Sequence, residues 1–287
     1  MALRKLTTTD AFVVTDVPDA PASGLVRMGK KILQSSAMDL ARSATYSFAA
    51  FGVERGGASA GINAVGDAAI AALEAFLEET ADLVDLDFHS GKGVPETAFD
   101  SSTTTPDAEL NLTSVVETAR WAAGGSFDNV TAAVEGVGSS PMAQRLADEL
   151  ARLGVELVHP DPAHEPWAIW GSEVDLILAG SKPGVLNHQG AGTVSAKAIV
   201  PWGPLPVTTK AYVMLERAGT TVVPDFVGAA GALVARHLEV NLTEAIPQIL
   251  DACSAHPEGV LMGACVRAEE FLTTWTDFSP FGRPLAA

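Results

Sequence analysis

The sequence predicts an α/β protein of two domains, and three observations carry that prediction. Over 129–158 an apolar run, a glycine-rich loop, an amphipathic helical stretch and a second apolar run follow one another, the pattern of a βαβ unit. Short apolar runs at 176–178, 198–200 and 221–223 continue it, with a helical pattern over 209–218 between the last two, as a parallel, doubly wound sheet requires. The chain has 287 residues, 47% of them hydrophobic and 18% charged, which suffices for one large domain or two ordinary ones.

The elements follow in order. Apolar residues at Ile32, Leu33, Met38, Leu40, Ala41, Ala44, Phe48 and Phe51 give 31–51 a helical period. A second helix is expected over 67–84, with Ile70, Leu73, Phe76 and Leu77 on its apolar stripe. The intervening Glu54-Arg-Gly-Gly-Ala-Ser-Ala-Gly-Ile-Asn63 is too glycine-rich for a helix and reads as a turn leading into a short strand. Residues 100–107 hold no apolar side chain and read as a linker, followed by a helix over 112–123. After the βαβ unit and its extension, 227–240 and 243–252 read as helices. The division expected is a substrate and oligomerisation domain of 1–112 joined by C-terminal helices from 237–287, and a Rossmann-type domain of 113–236.

Composition removes several functions. With 18 Lys and Arg against 35 Asp and Glu, the net charge of −17 argues against nucleic acid and against anionic membranes as partners. No apolar run has the length of a membrane span, and the N-terminus lacks the apolar core of a signal peptide, so a cytoplasmic location is expected. Cys253 and Cys265 are too few for a disulfide framework and read as buried thiols. His159, His164 and His188 have no metal-ligand spacing, and no metal is expected.

The loop Gly136-Val-Gly-Ser-Ser-Pro141 matches G-x-G-x-x-G except at its last position. Gly136 suits the tight turn, and Gly138 lets the backbone approach a pyrophosphate. Ser139 and Ser140 stand at the start of the following helix, and Pro141 suits its first turn. Asp161 lies about 20 residues on, where a carboxylate accepts from the adenosine ribose, which favours NAD; the neighbouring His159 leaves NADP open. The alternative is a structural βα turn without a ligand.

Longer segments resemble the glutamate/leucine/phenylalanine/valine dehydrogenase family, the leucine dehydrogenase branch most closely. Gly24-Leu-Val-Arg-Met28 is similar to its G-G-x-R-M turn, Ala37-Met-Asp-Leu-Ala-Arg-Ser-Ala-Thr-Tyr46 to its helix ending in M-T-Y-K, and Gly56-Gly-Ala-Ser-Ala-Gly-Ile62 to its G-G-G-K-x-x-I. Lys182-Pro-Gly-Val-Leu-Asn187 resembles part of its C-A-L-G-x-x-x-N segment, and Pro224-Asp-Phe-Val-Gly-Ala-Ala-Gly231 its P-D-x-x-x-N-A-G. The resemblance implies a dinucleotide in the second domain, Lys182 and Asn187 in a loop over that cofactor, a substrate cleft, and a homodimer or larger assembly.

The departures bear on chemistry. Ser47 stands where the family has the lysine that holds the substrate carboxylate, Ser59 where it has the lysine that activates water, and His89 where it has the aspartate that handles the proton on nitrogen. Ala229 replaces the asparagine of N-A-G, and Pro201-Trp-Gly-Pro204 replaces G-x-A-N. These replacements remove the groups for amino-acid deamination. The reading is an NAD(P)-dependent oxidoreductase acting on a small molecule other than an ordinary amino acid: an alcohol, aldehyde or hydroxy-ketone, aromatic or not. His89 would exchange the proton, with Ser47 and Ser59 as hydrogen-bonding groups. Lys92 would restore a cation or simply be solvated, and Trp202 would wall the substrate or fill the core. Two alternatives stay open: a divergent amino-acid dehydrogenase using His89 and Lys92, and a non-catalytic dinucleotide-binding or regulatory protein.

Overall fold

The computed structural model of the chain describes residues 1–99, 105–159 and 166–286. Two compact units emerge, one of Met1–Thr104 with Ala268–Pro284 and one of Thr105–Arg267 with Leu285–Ala287. The expected linker at 100–107 falls largely outside the described residues, as does Asp161.

The first unit is built on β1 Ala2–Lys5, β2 Ala11–Thr15, β3 Ala22–Gly29, α1 Gln34–Ala50, β4 Gly56–Asn63, α2 Ala68–Thr80 and β5 Leu86–Ser90. Its sheet has the order β1-β2-β4-β3-β5, with β4, β3 and β5 parallel, β2 antiparallel to β4 and β1 antiparallel to β2. Alternation along the strands gives each face one helix. Phe12 and Val14 pack with Ala37 and Ala41 of α1. Val13, Val26, Ala58, Ala60, Ile62 and Phe88 pack with Phe76 of α2.

Two sequence expectations fail here for one reason. The segment 54–63 is no turn with a short strand after it: Gly56–Asn63 is an eight-residue strand in the middle of the sheet, buried along nearly its whole length. Likewise Gly24-Leu-Val-Arg-Met28 is the interior of β3, not a turn. The glycines serve close packing. A Cβ at Gly57 would lie 1.9 Å from the Ala41 carbonyl oxygen of α1, and one at Gly24 would lie 1.7 Å from that of Ala58. On α2, Phe76 is buried as expected, whereas Ile70 is 72% exposed, because the side chains that meet the sheet core are Ala72, Leu73, Phe76 and Leu77.

Arg42 of α1 forms a buried ion pair with Asp16, just past β2, its Nε donating to both carboxylate oxygens at 2.9 and 2.8 Å. Its Nη1 donates to the carbonyls of Phe281 and Gly282, and Tyr46 donates its hydroxyl to Glu269 at 2.9 Å. The segment 268–284 is thereby tied to α1.

The second unit contains α3 Asp107–Ala122, β6 Thr131–Val134, α4 Pro141–Arg152, β7 Glu156–Leu157, β8 Leu176–Ala179, α5 His188–Ala191, β9 Ala198–Pro201, α6 Thr209–Ala218, β10 Thr221–Val222, α7 Asp225–Gly228, α8 Gly231–Ala235 and α9 Leu242–Ser254. A further helix, α10 Gly259–Leu272, was not legible as an amphipathic stretch. The sheet order is β10-β9-β8-β6-β7, parallel throughout, the doubly wound Rossmann-type arrangement the sequence predicts. The helix expected over 227–240 is broken into α7 and α8. Glycines at the break let the backbone press on α3: a Cβ at Gly231 would lie 2.6 Å from the Leu110 carbonyl oxygen, and one at Gly228 would lie 2.8 Å from Thr118 Cγ2. Of the C-terminal stretch expected to return to the first domain, only 268–284 does so; α9 packs on α3 within the second unit. Cys253 and Cys265 are both buried, and burial pushes the Cys253 thiol up. No helix among the described residues is long and apolar enough to cross a membrane.

Candidate functional site

In the second unit the chain runs from β6 outward to β7 and then returns to place β8 on the other side of β6. The topological switch point therefore lies between β6 and β8, where open α/β sheets bind ligands at the carboxyl ends of their strands. The loop Gly136–Pro141 follows β6 at that point. Gly136 and Gly138 have φ of +90° and +81°, the left-handed region that glycine enters without strain. A Cβ on Gly138 would meet nothing within 4 Å, so its backbone faces open space. Gly136 is closed below: the Trp202 ring would come within 3.1 Å of a Cβ there, and the Trp202 indole donates to the Glu135 carbonyl at 3.1 Å. Trp202 thus floors the glycine loop.

Both serines of the loop shape it. Ser139 donates its hydroxyl to the Gly136 carbonyl at 3.0 Å, and Ser140 is the N-cap of α4, accepting from the Ala143 amide at 3.4 Å. Pro141 opens the helix, whose first turn carries no acid. An acid in that turn would compete with an anion for the helix N-terminus. Glu135, which precedes the loop in sequence, is turned aside and accepts from the Gly180 and Ser181 amides at 3.1 and 3.0 Å. Open glycine, capped helix and diverted acid fit a dinucleotide's pyrophosphate. Asn187 is exposed and caps α5, its side-chain oxygen accepting from Gln189 and Gly190. Beyond β9, the buried Asp225 accepts from the Leu205 amide at 2.9 Å and holds that non-glycine residue at φ +53°.

In the first unit the strand register aligns Val14, Ser59, Leu25 and His89 in one row across β2, β4, β3 and β5. Cross-strand partners share a face, and this is the face covered by α1. Ser59 is fully buried and its hydroxyl donates to the Leu25 carbonyl at 3.4 Å, while His89 is 5% exposed. Leu25 stands between them, which separates Ser59 and His89 by two strand spacings, about 10 Å. Ser47, buried on α1, donates to the Ser43 carbonyl one turn back, at 3.1 Å. Its proton is committed to its own helix. Lys92 is exposed on the loop after β5, and its carbonyl accepts from the Met28 amide. No metal-binding group of His, Cys, Asp and Glu occurs among the described residues.

Sequence reasoning passed over one side chain on this face. Arg27 of β3 lies opposite Gly61 of β4, one step along the strand from the Ser59–His89 row. It had a signature: from 20 to 38 the chain carries three of its 18 basic residues and no acid, although acids make up 35 of 287 positions.

No family model matches the chain. Solved structures do. Hetero-hexameric glutamate dehydrogenase from Thermus thermophilus, in a leucine-bound form, superimposes with a TM-score of 0.79 at 19% identity, covering 96% of this chain and 89% of that one. L-tryptophan dehydrogenase from Nostoc punctiforme gives 0.71 at 20% identity and covers 96% of both chains. Glutamate dehydrogenase from Plasmodium falciparum gives 0.70 at 13% identity, covering 93% of this chain and 80% of that one. Over nearly the whole of its length, this chain has the fold of the glutamate and tryptophan dehydrogenases.

Proposed function

We propose that the protein is an NAD(P)-dependent oxidoreductase acting on a small molecule, with the Gly136–Pro141 loop as its dinucleotide site. The observation that carries this reading is the loop itself: an open Gly138 at the switch point of a parallel sheet, leading into a helix with no acid in its first turn. The likeness of fold to amino-acid dehydrogenases supports it. The nicotinamide, when bound, supplies the hydride acceptor or donor. Gly138 and the amides at the start of α4 would hold the phosphates, Ser139 and Ser140 would keep the loop in shape, and Trp202 would support it from below. Asn187 would line the loop that borders the cofactor, and NAD is preferred to NADP on the strength of Asp161.

For the substrate, His89 is the group able to take or give a proton near neutral pH, and Ser59 offers a hydroxyl on the same face. Lys92 supplies an exposed cation after the same strand as His89. With Ser47 and Ser59 in place of two lysines, the substrate we favour is a hydroxy or oxo compound, not an ordinary amino acid. A homo-oligomer and a cytoplasmic location complete the proposal. Titration of the purified protein with NAD and NADP, followed by thermal unfolding, tests it. A saturable stabilisation by NAD exceeding that by NADP is expected; no response to either at millimolar concentration would overturn the reading. A screen of hydroxy, oxo and amino compounds by NADH absorbance then assigns the substrate, and turnover of leucine or glutamate at an ordinary enzyme rate would refute the exclusion of amino acids.

A further inference from the structure

Arg27 projects from β3 onto the face covered by α1. Its Nη1 donates to the Ser36 hydroxyl at 3.2 Å. Its Nε and Nη2 are buried and have no hydrogen-bond partner among the described residues. Burial lowers the pKa of the guanidinium from its ordinary value, and no carboxylate among the described residues counters that shift. In a chain with nearly twice as many acids as bases, an unpaired, half-buried guanidinium is an exception, and idle buried donors are destabilising unless something takes them.

The idle pair is chemically specific. Nε–H and the neighbouring Nη2–H point the same way, at the spacing of two carboxylate oxygens, and form the side-on edge that binds a carboxylate in two parallel hydrogen bonds. The surroundings favour an anion. Lys30 and Lys31 follow in sequence, both exposed, and add positive potential. The two residues flanking Arg27 across the sheet are glycines, Gly61 opposite it on β4 and Gly91 just past β5. At Gly91 a Cβ would lie 3.2 Å from Arg27 Cγ, so a side chain there would crowd the arginine stem. The position is at the carboxyl ends of the parallel strands β3, β4 and β5, where α/β sheets bind ligands. Ladder geometry puts the Cα atoms of Arg27 and His89, which share this face, about 8 Å apart.

We propose that the Nε–Nη2 edge of Arg27 is a carboxylate-binding site, and that it anchors the substrate, which is therefore a small carboxylic acid. The identification of that acid as substrate rests on the oxidoreductase reading above; the anion site does not. A carboxylate held at Arg27 puts a compact acid beside His89, and a 2- or 3-hydroxy or oxo acid is the form that matches both groups. Because both nitrogens are out of contact with bulk water, an anion reaches them through a local opening, and association slower than diffusion is expected.

The test uses the full chain labelled with 15N-arginine. The Arg27 Nε–H resonance is assigned by its loss in Arg27→Lys and followed during titration with lactate, propanoate, lactamide and sodium chloride. Lactate and propanoate should shift it saturably, lactamide and chloride at matched ionic strength should not, and Arg27→Lys, which keeps the charge without the fork, should bind lactate at least fivefold more weakly by calorimetry. A resonance that moves equally with chloride, or not at all with either carboxylate, overturns the proposal on the wild-type protein alone, whatever the folding of the variant. Thermal titration with NAD in the same sample separates the two readings: carboxylate binding without NAD binding leaves the anion site and removes the oxidoreductase, and the converse does the reverse.

Discussion

Replacing Arg42 by alanine isolates a buried charge whose energetic consequence follows from the geometry. Asp16 has no exposed side-chain surface and Arg42 only 9%, and both carboxylate oxygens are engaged by one Nε. Removing one partner of such a pair leaves an uncompensated buried carboxylate, a loss of about 3–5 kcal/mol. The bonds from Arg42 to the carbonyls of Phe281 and Gly282 disappear with it, so the upper half of that range is expected. The assay is hydrogen exchange in increasing urea, read in peptides covering β4, which reports the first unit separately from the second. Two further measurements separate charge from packing. The double variant Arg42→Met with Asp16→Leu should recover to within about 1 kcal/mol of the parent, since apolar replacement of a buried pair is often neutral. The single variant Arg42→Met, which keeps most of the side-chain volume but not the charge, should stay close to the deficit of Arg42→Ala. A deficit below about 1 kcal/mol, or one that the second substitution fails to relieve, would refute the reasoning and assign the role of Arg42 to the tail carbonyls.

Other outcomes follow from single residues. Gly138→Ala should weaken NAD binding at least tenfold, whereas Gly154→Ala, which meets the same open space at a similar φ of +92° just after α4, should have the same backbone cost of about 1–2 kcal/mol and leave NAD binding unchanged; equal effects on NAD would remove the loop from the site. His89→Ala should keep cofactor affinity and lower turnover of the substrate once that is identified, and unchanged turnover would exclude it from proton transfer. Glu79 accepts from the hydroxyls and amides of Thr7 and Thr8, and these bonds, the Thr8 hydroxyl foremost, pull its pKa from 4.5 to about 2. A depressed carboxylate pKa stabilises the folded state above the unfolded value, so that contribution should fade as pH falls from about 4.5 to about 2; in acid denaturation Glu79→Gln should be less stable than the parent at neutral pH and indistinguishable from it near pH 2.

The second unit was legible because its order is written in short range. Apolar runs, the glycine turn, Ser140 with Pro141 and the amphipathic α4 are all local patterns, and each maps onto one element of a parallel sheet. The first unit was less legible because its central strand violates strand composition. Gly56–Asn63 carries three glycines and small side chains, which propensity assigns to a turn. Only the approach of α1, whose Ala41 carbonyl leaves no room for a Cβ at Gly57, explains why these residues form a buried strand. Similarly, Ser47, Ser59 and His89 could be singled out from the chain, but their separation could not: the hydroxyl of Ser47 turns back into its helix, and Leu25 stands between Ser59 and His89.

By itself, then, the sequence determined the α/β class, the glycine-rich loop after β6 and the serines at 47 and 59, because each depends on residue type at short spacing. What only tertiary structure decided was which face those residues share. Register across β2, β4, β3 and β5 set Ser59 and His89 in one row and brought Arg27 beside them, an unpaired cation in an acidic chain. The pleat turns successive side chains to opposite faces, so a one-residue change of register would have sent every one of them to the face of α2 instead.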